Sequence, residues 1–320
     1  MNIQKLIREQ AKQIKSTIIL PEANLDERVK KACEFIIENN ISNIIIFGKT
    51  AEFSSVLVNS NKCEIIDIEN YAELSNLAMQ LYELRKAKGL TLEQAQELIK
   101  NPAYLAMMLL KNNKADGVVA GAKFTTADTL RPALQIIKTK PDKSIVTGCM
   151  IMTKEDKNPL VFGDVSLVEN PTSENLAEIA ESTAEFANKV LGLEPKVALL
   201  SYSTKGSAKS EMVEKIQRAA ELTKDSKYLI DGEMQVDSAL DLATATKKGV
   251  KSQVGGNANV LIFPDLNAGN IGYKLVARLG GYTAIGPIML NFNKPVNDLS
   301  RGCTVEEIID TVCITKLQVE

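Results

Sequence analysis

In the segment PVNDLSRG, Pro295 to Gly302, Asp298, Ser300 and Arg301 share one short stretch. A guanidinium placed there can stabilise negative charge that develops on oxygen during a reaction. A little further on, Thr304 and Glu307 fit the S/T-x-x-E pattern of a helix capping box. That pattern explains Glu307 structurally and requires no chemical role for it. A second segment, AGAKFTTADTLRPALQII, carries Thr125 and Thr126 just before a helix and Arg131 about two turns in. Backbone N–H groups and the dipole at a helix start favour an anion, and Arg131 can extend a guanidinium to phosphate. Equally, a threonine there is an N-cap and Arg131 a solvated side chain. The segment LSYSTKGSA repeats the architecture, with Lys205 as a candidate anion contact or as part of an ordinary capped loop. It lacks the spacing of a P-loop. In LYELRKAKGLT, Arg85, Lys86 and Lys88 gather at a helix end, where cations also suit the negative end of the dipole.

The absence of histidine narrows the chemistry sharply. A Ser-His-Asp triad, a Cys-His pair and any histidine metal site are excluded, so a general base must be Asp, Glu, Lys, Tyr or Cys. No metal is expected. Cys33, Cys63, Cys149, Cys303 and Cys313 form no CxxC pair, and their odd number and wide spacing suggest reduced thiols in a reducing compartment. A formal net charge of -2 gives no basic excess for nucleic acid or a membrane surface, but leaves room for a local arginine cluster on an anionic ligand. The opening NIQKLIREQAKQIK reads as an amphipathic helix, and no stretch has the roughly 18 apolar residues of a membrane span. The expected location is the cytoplasm.

These residues need a frame, and the apolar pattern supplies one. Short strands are expected at Ile18–Leu20, Ile41–Phe47, Cys63–Ile68 and Asp116–Gly121, separated by helices. The second half continues with strands at Ser144–Met152, Leu160–Ser166, Val197–Ser201, Tyr228–Asp231, Asn259–Pro264 and Thr283–Met289. No convincing helix separates the first two of these. Helices are expected over Gly206–Thr223 and Val305–Leu317, and Pro295–Gly302 reads as loop. Alternation of this kind means mainly parallel sheet covered on both faces, with ligands at the loops beyond the C-terminal strand ends. TKPDKS, Thr139 to Ser144, breaks the rhythm and marks the expected domain boundary.

LPEANLDERV, LYELRKAKG, TTADTLRPALQIIK, LSYSTKGSA and GPIMLNFNKPVNDLSRG together resemble the phosphate acetyltransferase (phosphotransacetylase) family, across almost the whole chain. PVNDLSRG following TTADTLRPALQ is the specific part of the match. The resemblance implies reversible acetyl transfer between acetyl phosphate and CoA, with CoA as a substrate and no permanently bound cofactor. It implies a homodimer with no nucleic-acid or membrane partner. Its fold is two α/β domains, each a mainly parallel sheet flanked by helices, with the active site in the cleft between them. Residues 1–142 would form the first domain, with the last helix, 303–320, returning to it, and residues 143–302 the second.

The same resemblance assigns roles. Ser300 and Arg301 line the site, and Arg85 and Arg131 bind CoA. Arg301 would hold the acyl phosphate, while Thr125, Thr126 and Lys205 stand as further candidate phosphate contacts from their spacing and not from the resemblance. The family's thiol-deprotonating acid is an Asp six residues beyond the DLSRG arginine, and this chain has Glu307 there. Glu keeps the acid but lengthens the arm by about 1.5 Å. Either the backbone compensates, or neighbouring Glu306 contributes, or the role is weaker in this chain. Asn291, where the family usually has Gly, and Lys123–Phe124 are further departures. The nearest alternative activity is the same transfer with a butyryl or propionyl group. A two-domain dehydrogenase of the isopropylmalate type would need a metal-ligand Asp cluster or a GxGxxG turn, and the sequence has neither.

Overall fold

The structure is a computed structural model describing residues 3–319. Its strands are β1 (Thr17–Leu20), β2 (Asn43–Phe47), β3 (Cys63–Ile66), β4 (Gly117–Ala120), β5 (Thr147–Thr153), β6 (Leu160–Gly163), β7 (Lys196–Leu200), β8 (Leu229–Met234), β9 (Val260–Ile262), β10 (Thr283–Leu290) and β11 (Val296–Asp298). The described residues divide into two compact units, residues 4–140 with 292–319, and residue 3 with residues 141–291.

The first unit holds a sheet in the order β11-β4-β1-β2-β3, parallel throughout. β1 (TIIL) and β4 (GVVA) are apolar and almost wholly buried, as strands covered on both faces must be. The final helix, Val305–Leu317, packs on the helix Glu27–Glu38 and on β4, burying Ile308, Ile309, Val312 and Ile314. The expected second-domain span of 143–302 is shortened, because β11 pairs in register with β4 and residues 292–302 belong to the first unit. β11 escapes a hydrophobic reading because two of its three residues are polar yet buried. Asn297 donates to Thr315 Oγ1 at 2.8 Å and Gln318 Oε1 at 2.7 Å, and Asp298 is 2% exposed.

The second unit's sheet runs β10-β5-β6-β9-β7-β8. β10, β5 and β6 pair antiparallel, and the rest are parallel. Only residues 154–159 join β5 to β6, too few for a crossover, so the pair folds back as a hairpin. Met150, Met152, Phe162, Ala198 and Leu261 form the core on one face, and the Phe162 and Phe263 rings lie 5.2 Å apart. The helix expected from Gly206 begins instead at Glu211, capped by the Ser210 hydroxyl. Lys205 and Gly206 take left-handed backbone, which no helix continues through. Among the described residues no helix is long and apolar enough to cross a membrane.

Candidate active site

β11 delivers the Ser300–Arg301 turn to the C-terminal end of the first unit's sheet. Leu299 N donates to Ala120 O at 2.6 Å, so the turn continues the β4–β11 ladder by one residue. Beyond that bond Ser300 and Arg301 are exposed. Ser300 Oγ accepts from Gly302 N at 3.3 Å. The Arg301 guanidinium has no hydrogen bond or ion pair among the described residues, while its backbone is firmly held. Arg28 Nη1 donates to Arg301 O at 2.9 Å and Cys303 O at 2.7 Å, and Arg28 Nη2 donates to Ala122 O at 3.0 Å. Asp26 backs the same guanidinium at 2.7 Å. One planar cation thus joins the Ser300–Arg301 turn to the turn after β4. It leaves Arg301 as an unpaired cation on a fixed backbone, an arrangement suited to a phosphate or a developing oxyanion.

The turn after β4 was a candidate anion site, and in the structure its donors already have partners within the chain. The Glu22 carboxylate, 1% exposed, already occupies its amides. Glu22 Oε2 accepts from Gly121 N (2.7 Å) and Ala122 N (3.1 Å), and Oε1 from Lys123 N (2.7 Å) and Phe124 N (2.6 Å). Thr125 is the N-cap of the helix Thr126–Ile136. Its hydroxyl accepts from Asp128 N at 3.2 Å and donates to the Asp128 carboxylate at 2.7 Å, so it is not available to phosphate. Thr126 lies beside Asp298. Burial pushes the Asp298 carboxyl up to about 6, the nearby Glu22 charge adding to the rise and the Thr126 and Thr129 hydroxyls opposing it.

Glu307 forms the anticipated capping box. Its Oε2 accepts from Thr304 N at 2.7 Å, and its own N–H donates to Thr304 Oγ1 at 3.2 Å. Oε1 makes no hydrogen bond among the described residues. Glu306 is engaged by Arg8 in an ion pair.

Arg85 and Arg131 converge on one feature. Arg85 lines a cleft of about 230 Å³ with Leu81, Lys88, Gly89, Leu90, Gln94, Leu98, Tyr104 and Gln135. Arg131 lies one turn before Gln135 on the helix Thr126–Ile136. Tyr104 donates its hydroxyl to Gln135 Oε1 at 3.0 Å. Burial raises the Tyr104 phenol, and both Arg85 and Arg131 pull it back, which places the two cations around one ring.

Lys205, in the second unit, is likewise engaged within the chain. Its Nζ is paired with Asp231 at 2.5 Å and donates to Gly232 O at 2.8 Å, an internal ion pair rather than a free anion contact. Glu22, Arg28 and Asp298 were missed as site residues. Arg28 left one trace, since a cation in a helix's first turn opposes the dipole and needs another reason to be there. Glu22 left none, because its partners lie about a hundred residues away.

A family model described as phosphate acetyl/butaryl transferase matches residues 2–316. The phosphate acetyltransferase of Clostridium acetobutylicum is 46% identical, over 100% of this chain and 99% of that one. That of Acetivibrio thermocellus is 44% identical, with 100% and 99% covered. The solved phosphotransacetylase of Streptococcus pyogenes is 41% identical with a TM-score of 0.92, covering 99% of this chain and 98% of that one. The match runs nearly end to end, and the chain belongs to the phosphate acetyl/butaryl transferase family.

Proposed function

We propose that the chain is a phosphate acetyltransferase that moves an acetyl group between acetyl phosphate and CoA by direct thiolate attack. The observation that carries this reading is Arg301, an exposed guanidinium without a partner among the described residues, on a backbone clamped by Arg28. The CoA thiol gives its proton to the open Oε1 of Glu307. The thiolate sulfur then attacks the acetyl carbon, a C–S bond forms, the C–O bond to phosphate breaks, and the proton passes to the departing phosphate. Arg301 stabilises charge on the acyl oxygen and on phosphate, and Ser300 orients the reacting groups by its hydroxyl. A free thiol ionises with a pKa of about 8.5, so a close carboxylate raises the reactive fraction at neutral pH. Acetyl phosphate carries its own leaving group, so the step asks for no covalent enzyme intermediate.

CoA would be held by Arg85 and Arg131, with the cleft around Tyr104 offering apolar walls and amide ends. Five free cysteines, four of them buried, fit a reducing cytoplasm. Ile271, Leu275 and Leu279 form an exposed apolar row on the helix Leu266–Gly280, a feature that supports a homodimer. The test is an assay of CoA with acetyl, propionyl and butyryl phosphate. The acetyl ester should be the best substrate, and release of phosphate before CoA is added would rule out direct transfer. Activity surviving in full in Glu307→Ala would remove Glu307 as the base and leave it as a cap.

A further inference from the structure

We propose that Asp298 is a positioning residue for the Ser300–Arg301 turn, its carboxylate setting the end of β11 against the first turn of the helix Thr126–Ile136. The proposal rests on the transferase reading above. Strand alternation sends Asn297 to the final helix and Asp298 to the opposite face, where the helix Thr126–Ile136 packs. Gly121 fills the remaining side with no side chain at all. A methyl group there would lie 2.3 Å from Asp298 Oδ1 and 2.7 Å from Leu299 N, so any larger residue would push the turn away.

Asp298 is 2% exposed, and its Oδ1 has no hydrogen-bond partner; Thr129 Oγ1, also buried, has none either. A buried acid with an open oxygen is an expensive feature for a fold to keep unless it does something else. The charged group that faces it from the loop after β1 is Glu22, immobilised by four amides; the helix Thr126–Ile136 offers only hydroxyls, and the turn after β4 only Gly121. Glu22 disfavours an ionised Asp298, while the Thr126 hydroxyl and the dipole at the helix start favour it. Ionised Asp298 therefore pins the turn, and protonated Asp298 loosens it. The carboxyl titrates near about 6, so the pin is set at neutral pH and released on acidification.

The sign for stability is opposite to that for activity. A carboxyl raised above its ordinary 3.8 destabilises the fold once ionised, so its penalty is absent below that value and complete above about 6. The experiment compares wild type with Asp298→Asn in acetyl phosphate–CoA turnover and in melting temperature across the acid-to-alkaline range. The expected variant melts higher than wild type at mildly alkaline pH and equally at acid pH. Its kcat falls about tenfold or more with the KM for CoA changed less than about twofold. It also lacks the acid limb of kcat near the Asp298 titration. Thr126→Val, which keeps the carboxyl but removes a hydroxyl that favours its ionised form, should move that limb to higher pH. An unchanged kcat and limb in Asp298→Asn, a loss of activity matched by a lower melting temperature, or an unmoved limb in Thr126→Val would overturn the proposal. Wild type inactive with every acyl phosphate would remove the transferase reading and this proposal together, whereas active wild type with an indifferent Asp298→Asn removes this proposal alone.

Discussion

The turn after β4 and the loop after β7 are built alike, one in each unit. Each follows a parallel strand, passes through small or hydroxyl residues and leads toward a helix, and each is closed by a buried glutamate. Glu22 takes the amides of residues 121–124. Glu233, 2% exposed, accepts from Gly206 N at 2.7 Å and from Ser203 Oγ at 2.9 Å. Backbone donors at a strand–helix junction attract negative charge, but the chain can supply that charge itself. The Ser300–Arg301 turn is organised differently, because its donor is a side chain left without an internal acceptor. The difference teaches that an anion site is defined by which donors remain unpaired after folding.

Mutations can break or sharpen that comparison. The largest effect should come from Glu22→Ala, which strands four buried or half-buried amides at once. A loss of about 3–5 kcal/mol in denaturant unfolding is expected, against about 1–3 kcal/mol for Glu233→Ala. Equal effects would mean that the two glutamates close their loops to the same degree. Arg301→Ala should lower kcat by about 10²-fold or more with little change in melting temperature, since its guanidinium supports no internal contact. A large drop in melting temperature would instead make it a structural residue.

Arg85→Ala and Arg131→Ala should each raise the apparent KM for CoA about tenfold, the size of one lost charge-assisted contact, while kcat holds. Acetyl phosphate saturation should not move, and a shift there instead would reassign the cleft around Tyr104. The smallest effect is expected from Lys205→Ala. Its ion pair with Asp231 is partly exposed, so its loss should change stability by less than about 1 kcal/mol and leave kinetics intact. A marked rise in the KM for acetyl phosphate would restore Lys205 as a ligand contact.

Much of the frame was legible in residue order. Apolar runs located every strand but β11 in the two mainly parallel sheets, and the missing helix between β5 and β6 fits their antiparallel pairing. Thr304 and Glu307 announced their cap by spacing alone. β11 was not legible, because Asn297 and Asp298 look like loop residues until their buried partners are known. The helix start at Glu211 was misread for a local reason: left-handed backbone at Lys205 has no sequence signature in a lysine.

Residue types alone removed histidine chemistry and confined a general base to Asp, Glu, Lys, Tyr or Cys, and the motif order pointed to the family. Those are properties of composition and short spacing, which no fold can change. Tertiary structure decided which cations are spent and which are free. Glu22 meets its amides 99 to 102 residues away, and Arg28 reaches Arg301 and Cys303 across more than 270. Contacts of this kind depend on how strands order within each sheet, so the freedom of Arg301 could be known only once β11 had taken its place beside β4, and the pairing of Lys205 with Asp231 only once β8 lay beside β7.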